Sequence, residues 1–470
     1  MKAKLILPAL TEAKSPFWRP IKYHLFPPLG LATIASYFAP EDELELQDEH
    51  VETLHLEVEP DLVVIQVYIT NAYRAYQIAD QYRQRGIYVV LGGLHVTALP
   101  AEAQVWADTI FLGPGEDTWP IFLRDFRAGV PQSVYRSTVR SLVGVPPIRR
   151  DLIRRSLYLV PNSLVVSRGC PHHCDFCYKD AFYQGGKSFY TQTVDAALAE
   201  MERLPGRHLY FLDDHLFGNP AFASELFAGM RGMGRVWQAA ATVTSILQPG
   251  LLEQAVAAGL RSLFVGFESL NPNNLREQHK YHNLHRDYTT AIQRLRDHGV
   301  MVNASFVFGM DDDDESVFAR TVAWAVDQGI ETATFHILTP YPGTPLHARL
   351  QAQGRITSTN WERYDTRHVV YQPARLSPEA LEAGYWQAYR DFYRWGAIAR
   401  GAAVKPTWPG RLRHLAYAGG WKKCEPVWDL LIRAKQVNRL LPALEQVLTS
   451  FQPLPPRRRS LAETGAGMRE

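Results

Sequence analysis

Along the first 130 residues, short apolar runs alternate with helical stretches, and several runs end in glycine. Residues 4–7 and 44–47 read as short strands. Residues 61–67, Asp-Leu-Val-Val-Ile-Gln-Val, form a continuous β-rich run, the pattern of a strand buried on both faces. Residues 72–85 carry a helical pattern that stops at Gly86. Strands at 88–91 and 109–112 run into Gly92-Gly93 and Gly113-Pro114-Gly115. This order predicts an α/β fold with a five-stranded, parallel, doubly wound sheet. Such sheets bind ligands at the carboxyl ends of their strands. Glycine there admits close approach of the backbone to a large ligand, so Gly92, Gly93, Gly113 and Gly115 are candidate contacts. Strands ending in glycine are also common in α/β domains that bind nothing there.

A second alternation follows. Residues 131 to about 160 read as a linker, with Val145-Pro146-Pro147 and a basic cluster at Arg149-Arg150. Strand patterns then recur at 164–167, 208–212, 237–243, 262–267, 302–308 and 334–338. Helical patterns fall between, among them 193–203 and 289–298, the latter closed by Gly299. Six strand–helix units predict an incomplete (β/α) barrel. Barrels of this kind do their chemistry at the carboxyl ends of their strands. Asp213 and Asp214 end the second strand and Glu268 the fourth. These carboxylates could accept hydrogen bonds from a ligand, or the aspartates could serve as helix caps or turn formers. Lys280 reads as a solvated surface lysine.

The chain has four cysteines, and three of them, Cys170, Cys174 and Cys177, lie within eight residues just after the first barrel strand. Three thiols so close cannot build a disulfide framework; they suit an iron–sulfur cluster or a metal ion. The spacing Cys-x3-Cys-x2-Cys lets one tight loop reach three corners of a [4Fe–4S] cube and leaves the fourth iron open to a small chelating ligand. The alternative is structural zinc, with His172 or His173 as a fourth ligand. Cys424 lies far away without a metal-binding partner at short spacing.

The sequence Cys-x3-Cys-x-Phe-Cys resembles the signature of the radical S-adenosylmethionine (SAM) superfamily, and Phe176 supplies its aromatic position. That resemblance implies a [4Fe–4S] cluster on the three cysteines, SAM chelating the open iron, and cleavage of SAM to a 5′-deoxyadenosyl radical. It places SAM contacts at Asp213, Asp214 and Glu268, and adenine contacts at Phe176 and Tyr178. The runs Pro27-Pro28-Leu29-Gly30-Leu31, Leu91-Gly92-Gly93-Leu94-His95-Val96-Thr97 and Gly113-Pro114-Gly115-Glu116 resemble the cobalamin-binding domain that precedes many radical SAM domains. Some cobalamin domains carry Asp-x-His-x-x-Gly, whose histidine binds cobalt. Here Asp48-Glu49-His50 lacks the glycine and follows the second strand, so His50 reads as a surface or loop histidine. The segment from 339 to 395 resembles the extension of cobalamin-dependent enzymes acting on hopanoid lipids, bacteriochlorophylls and related hydrophobic substrates.

The implied organisation is a cobalamin-binding domain at 1–135, a linker at 136–160, a radical SAM barrel at 161–345, a helical extension at 346–450 and a tail at 451–470. The implied activity is methyl transfer to an unactivated carbon of a hydrophobic small molecule, with an electron donor such as flavodoxin or ferredoxin. The alternatives are a radical cyclase or rearrangement enzyme with the same cofactors, and a non-catalytic cobalamin or redox sensor.

Bulk properties narrow the setting. The 470 residues are 46% hydrophobic and 21% charged, with net charge +2. That is ordinary for a globular chain and carries no nucleic-acid signature. No apolar run approaches the roughly 20 residues that span a bilayer. The amino-terminal apolar run is short and reads as a strand and not a signal peptide. Few cysteines and a cluster motif suit a reducing cytoplasm. Residues 400–440 hold nine Lys/Arg against two acids, interleaved with Trp408, Tyr417, Trp421 and Trp428. This is the composition of a helical cap with a solvated basic face, or of a peripheral contact with the inner membrane surface. The tail from Pro455 has a disordered composition.

Overall fold

The structure is a computed structural model that describes residues 1–10 and 25–423, the side chains of 421–423 excepted. Cys424, Trp428 and the tail lie outside the described residues, as does the side chain of Trp421.

The first unit is one parallel sheet of β1 (Lys2–Leu7), β2 (Glu43–Asp48), β3 (Leu62–Gln66), β4 (Tyr88–Gly92), β5 (Thr109–Leu112) and β6 (Val134–Arg136), in the order β2-β1-β3-β4-β5-β6. The central strands are apolar on both faces because helices cover both. Ala72–Arg83 buries Ala75, Ile78, Ala79 and Tyr82 against one face, while Trp119–Arg127 buries Trp119, Phe122 and Leu123 on the other. The sheet has six strands, not the five expected. β6 comes from the start of the stretch read as a linker: Val134, Tyr135 and Arg136 pair with Ile110, Phe111 and Leu112. With only three residues and one inward aromatic, β6 has no pattern of its own. Tyr135 earns its place by stacking on Phe111, ring centroids 5.3 Å apart.

The second unit is a parallel sheet of β7 (Ser163–Leu164), β10 (His208–Phe211), β11 (Val236–Ala241), β12 (Leu260–Glu268), β13 (Met301–Phe308) and β14 (Thr332–Ile337), in consecutive order. The six expected strand–helix units are all present. Between β7 and β10 a hairpin of β8 (Ser167–Gly169) and β9 (Phe189–Thr191) brackets the cysteine loop. The loop therefore leaves from β8, one short strand beyond the first barrel strand. Helix starts follow their caps: the side chains of Thr193, Asp287 and Ser377 accept from the backbone N–H of Ala196, Thr290 and Ala380.

The chain after β14 packs back on both units. Helix Pro378–Phe392 lies against β14, where the Tyr389 and Tyr393 hydroxyls bond the backbone of Phe335 and Ala333. Trp361 reaches the first unit, its indole N–H donating to Glu102 at 3.1 Å. No helix among the described residues is long and apolar enough to cross a membrane.

Candidate active site between the two sheets

The cysteine loop is fixed at both ends. Gly169 has φ +74°, and a Cβ there would fall 2.0 Å from the Ser188 carbonyl oxygen, so only glycine fits. The next N–H, of Cys170, donates to that same oxygen at 3.1 Å. Asp175 anchors the middle. Its carboxylate meets His279 Nδ1 at 2.6 Å and Arg349 Nη1 at 2.8 Å, and its backbone bonds Gln278 and Leu346. A turn closed by Cys177 N–H to the Cys174 carbonyl brings the last two cysteines together.

All three thiols are free, Cys174 buried and the other two half-buried. Burial pushes the Cys170 thiol up, Cys174 to about 11 and Cys177 to about 12. Thiols raised in this way need a strong local positive charge to ionise, which iron supplies. Among the described residues no three His, Cys, Asp or Glu side chains converge as ligands of a single ion. His173 is exposed and sits 3.1 Å from Asp180. His172 stacks on His282, centroids 3.8 Å apart, with His215 5.7 Å from it. Burial lowers these three imidazoles to about 4, 2 and 3, respectively for His172, His282 and His215, so they are neutral. This histidine column beside the loop was not legible in the sequence, because its members lie on three separate strand-end loops.

Two adjacent aspartates take different tasks. Asp213 is buried and accepts from the N–H groups of Val166 and Ser167 and from the Ser167 hydroxyl. It pins the strand that leads into the cysteine loop and lines neither cavity described below. Burial raises its carboxyl to about 7 despite those bonds. Asp214 instead accepts from the Tyr178 hydroxyl at 2.8 Å and from Gly169 N–H at 3.1 Å. Neither caps a helix. Glu268 has φ +64°, an uncommon left-handed conformation for this residue type. It pairs with Lys280 at 2.9 Å. Lys280 is thus buried and not the solvated lysine expected. Burial works against its charge, but Glu268 and Cys174 more than offset that and hold the ammonium above its usual range. The ammonium lies 6.0 Å from the Phe176 ring centroid, and that ring packs against the barrel core.

A cavity of about 510 Å³ opens between the units. Gly92, Gly93, Gly113 and Gly115 line it from one side, and Ser167, Arg168, Tyr178 and Asp214 from the other. Gly93 has φ +123°, and a Cβ there would meet the Val67 carbonyl oxygen at 2.6 Å. The wall is mostly apolar. Arg168 and Glu116, 3.0 Å apart, join the two units across it. Sequence reading missed Arg168, whose role depends on a partner 52 residues away. His50 is buried in the turn after β2, with Asp48 at 2.8 Å, and is not part of the lining. It is a loop histidine, as expected, but not a surface one.

A second cavity, about 400 Å³, lies beyond the first and shares Tyr68, Leu94 and Tyr178 with it.

A loop of three cysteines followed by Tyr178, which lines a glycine-walled and mostly apolar cavity, suits a protein that carries a cluster beside a second bulky ligand. Residues 164–343 match the radical SAM superfamily and residues 23–123 the B12 binding domain. The chain is 31% identical over 359 residues to a bacteriochlorophyllide d C-12(1)-methyltransferase of Chlorobaculum tepidum, covering 74% of this chain and 77% of that one. It is 26% identical over 390 residues to a bacteriochlorophyllide d C-8(2)-methyltransferase of the same organism, covering 79% and 86%. The fold matches the radical SAM methyltransferase TsrM of Kitasatospora setae, solved with cobalamin and a [4Fe–4S] cluster, at TM-score 0.60 and 16% identity over 93% of this chain and 99% of that one. The chain belongs to the cobalamin-dependent radical SAM methyltransferase family. Its cofactors are a [4Fe–4S] cluster, SAM and cobalamin.

Proposed function

We propose that this enzyme transfers a methyl group to an unactivated carbon of a hydrophobic, tetrapyrrole-type substrate. Bound together, the cofactors supply an electron, a hydrogen-abstracting radical and a methyl group. An aliphatic C–H has no acidity or polar handle, so the protein's part is to position the cofactors and exclude water.

Cys170, Cys174 and Cys177 hold the cluster. The glycine-ended strands β4 and β5, with Gly92, Gly93, Gly113 and Gly115, hold the corrin in the first cavity. Asp214 and Tyr178, hydrogen-bonded to each other, present polar groups to SAM where the cysteine loop meets that cavity. Glu268 and Lys280 hold a compact buried charge pair behind Phe176, on the barrel side of the loop. Asp213 acts through the backbone, by fixing the strand that aims the loop.

The observation that carries this reading is the position of Tyr178. It is the residue after Cys177 and also a wall of the corrin cavity, so cluster and corrin meet across one side chain. The similarity to two bacteriochlorophyllide methyltransferases supports the substrate class. The cluster loop reaches solvent at His173, 67% exposed, where a flavodoxin or ferredoxin could deliver the electron. Trp408 and Leu412 are exposed on helix Trp408–Leu415, where the Arg411 guanidinium lies over the Trp408 ring, and Trp395 is exposed on the preceding helix. That surface suits peripheral contact with a membrane that stores apolar substrate.

The test is an anaerobic assay with reconstituted protein, SAM, cobalamin, reductant and bacteriochlorophyllide d. The expected product gains one CH2, and 5′-deoxyadenosine forms in step with it. A product without added carbon points to the cyclase alternative. Absence of SAM cleavage by reconstituted protein sinks the enzyme reading and favours a sensor.

A further inference from the structure

The second cavity takes one wall from each part of the chain. Tyr68 and His95 come from the first unit, Tyr178 and Tyr341 from the barrel, and Asp365 and Thr366 from the segment after it. We propose that this cavity holds the methyl acceptor, a planar macrocycle with an oxygen acceptor at its edge, and that Tyr341 and the Asp365–Thr366 corner fix its position. The proposal rests on the corrin occupying the first cavity.

Four observations carry it. The cavities share Tyr68, Leu94 and Tyr178, so a group held in one lies a single side chain away from a group held in the other. A methyl acceptor must sit that close to both the methyl source and the hydrogen-abstracting centre. The volume, about 400 Å³, falls within the roughly 300–1,000 Å³ of small-molecule sites, and the cavity is open on one side, so a larger ring system can project outward.

The walls are aromatic and their polar atoms are unevenly engaged. Tyr178 and Tyr364 donate their hydroxyls to Asp214 and the Ser358 carbonyl, whereas the Tyr68 hydroxyl accepts from Gln66 Nε2–H. The Tyr341 hydroxyl makes no hydrogen bond among the described residues, although the ring lies within electrostatic reach of Asp365 and Cys177. A phenol hydroxyl is protonated at neutral pH and can donate. His95 is buried, with Nε2 3.0 Å from Glu102, and its Nδ1 has no partner among the described residues. An aromatic box whose Tyr341 and Tyr68 hydroxyls are available as donors suits a flat apolar molecule bearing a carbonyl or carboxylate at its rim.

The corner is strained. Thr366 has φ +64°, an outlier for a β-branched residue. Its carbonyl accepts from Ile337 N–H at 2.7 Å and its hydroxyl meets His336 Nδ1 at 3.1 Å, both at the end of β14. Held strain of this kind concentrates at ligand clamps. Here it places the corner over the cavity.

The experiment uses the cluster-reconstituted, cobalamin-loaded full chain and chlorophyllide a as probe, followed by its fluorescence. Wild type should bind saturably. Ala98→Trp, which fills the cavity from the helix Leu94–Ala98, should weaken binding at least about ten-fold. Tyr341→Phe, which removes one hydroxyl, should weaken it about three- to ten-fold. Iron and cobalamin content should stay at wild-type levels in both. Undisturbed binding in both variants, or no saturable binding by a wild type that cleaves SAM and holds cobalamin, overturns this proposal and leaves the cofactor assignment standing. Displacement of cobalamin by the probe, with binding blocked by Gly115→Leu, overturns the corrin assignment as well.

Discussion

The two cavities are neighbours built by different means. The first is walled on one side by backbone: four glycines at the ends of β4 and β5 allow close approach, and a Cβ at Gly93 or Gly115 would collide with Val67 or Ile34. The second is walled by side chains, chiefly tyrosines contributed by three separate parts of the chain. A glycine wall follows the backbone and takes a side chain only by displacing a neighbour or filling the cavity, so it suits a cofactor that is the same for every turnover. Side-chain walls change residue by residue, so they suit the acceptor. The shared residues Tyr68, Leu94 and Tyr178 are where the two meet.

Separate construction means that the sites should fail separately. The largest effect is expected from Cys174→Ala. Iron and SAM cleavage should be lost, with 5′-deoxyadenosine falling at least about a hundred-fold as the cluster loses one of its thiolate ligands, while cobalamin uptake persists. Gly115→Leu should do the reverse, weakening cobalamin binding at least about ten-fold by filling the first cavity near Ile34 while iron content holds. Loss of both cofactors in either variant would break the contrast. Tyr178→Phe sharpens it. Removing the bond to Asp214 at the shared wall should slow methylation about three- to ten-fold, with SAM cleavage running ahead of product because the cavities lose their common reference point.

The smallest expected effect concerns stability alone. Asp213 has its folded pKa raised to about 7 by burial, above its value in the unfolded chain. Folding therefore favours the protonated form. Its contribution is undiminished below about pH 4 and declines as pH rises towards 7. Asp213→Asn keeps an acceptor for Val166 and Ser167 and should flatten that decline, read as the melting temperature against pH. A pH dependence identical to that of the wild type would show that Asp213 is not the group responsible.

Much of the architecture was legible because it follows from period and punctuation. The continuous β-rich run at 61–67 reads as a doubly buried strand, and Gly299 and Ser377 read as helix ends. The cysteine loop was legible because three thiols in eight residues permit few chemistries. What escaped depended on tertiary partners. β6 has too few residues to show alternation, and only Phe111 reveals why Tyr135 turns inward. Lys280 looks like a surface residue until Glu268 is placed 2.9 Å from it. Asp213 and Asp214 are identical by composition and adjacent, yet one serves the backbone and the other Tyr178. The second cavity was invisible because Tyr68 lies hundreds of residues from Tyr341 and Thr366, and the three share no motif.

If cluster and corrin occupy two separately built sites that meet at Tyr178, iron and cobalt should be lost independently of each other. Metal analysis of anaerobically reconstituted protein tests it most directly, run on wild type, Cys174→Ala and Gly115→Leu together. Wild type should carry one [4Fe–4S] cluster and one cobalt per chain, Cys174→Ala cobalt without the cluster, and Gly115→Leu the cluster with depleted cobalt. Zinc in place of iron in wild type, or iron and cobalt rising and falling together across the three proteins, would contradict it.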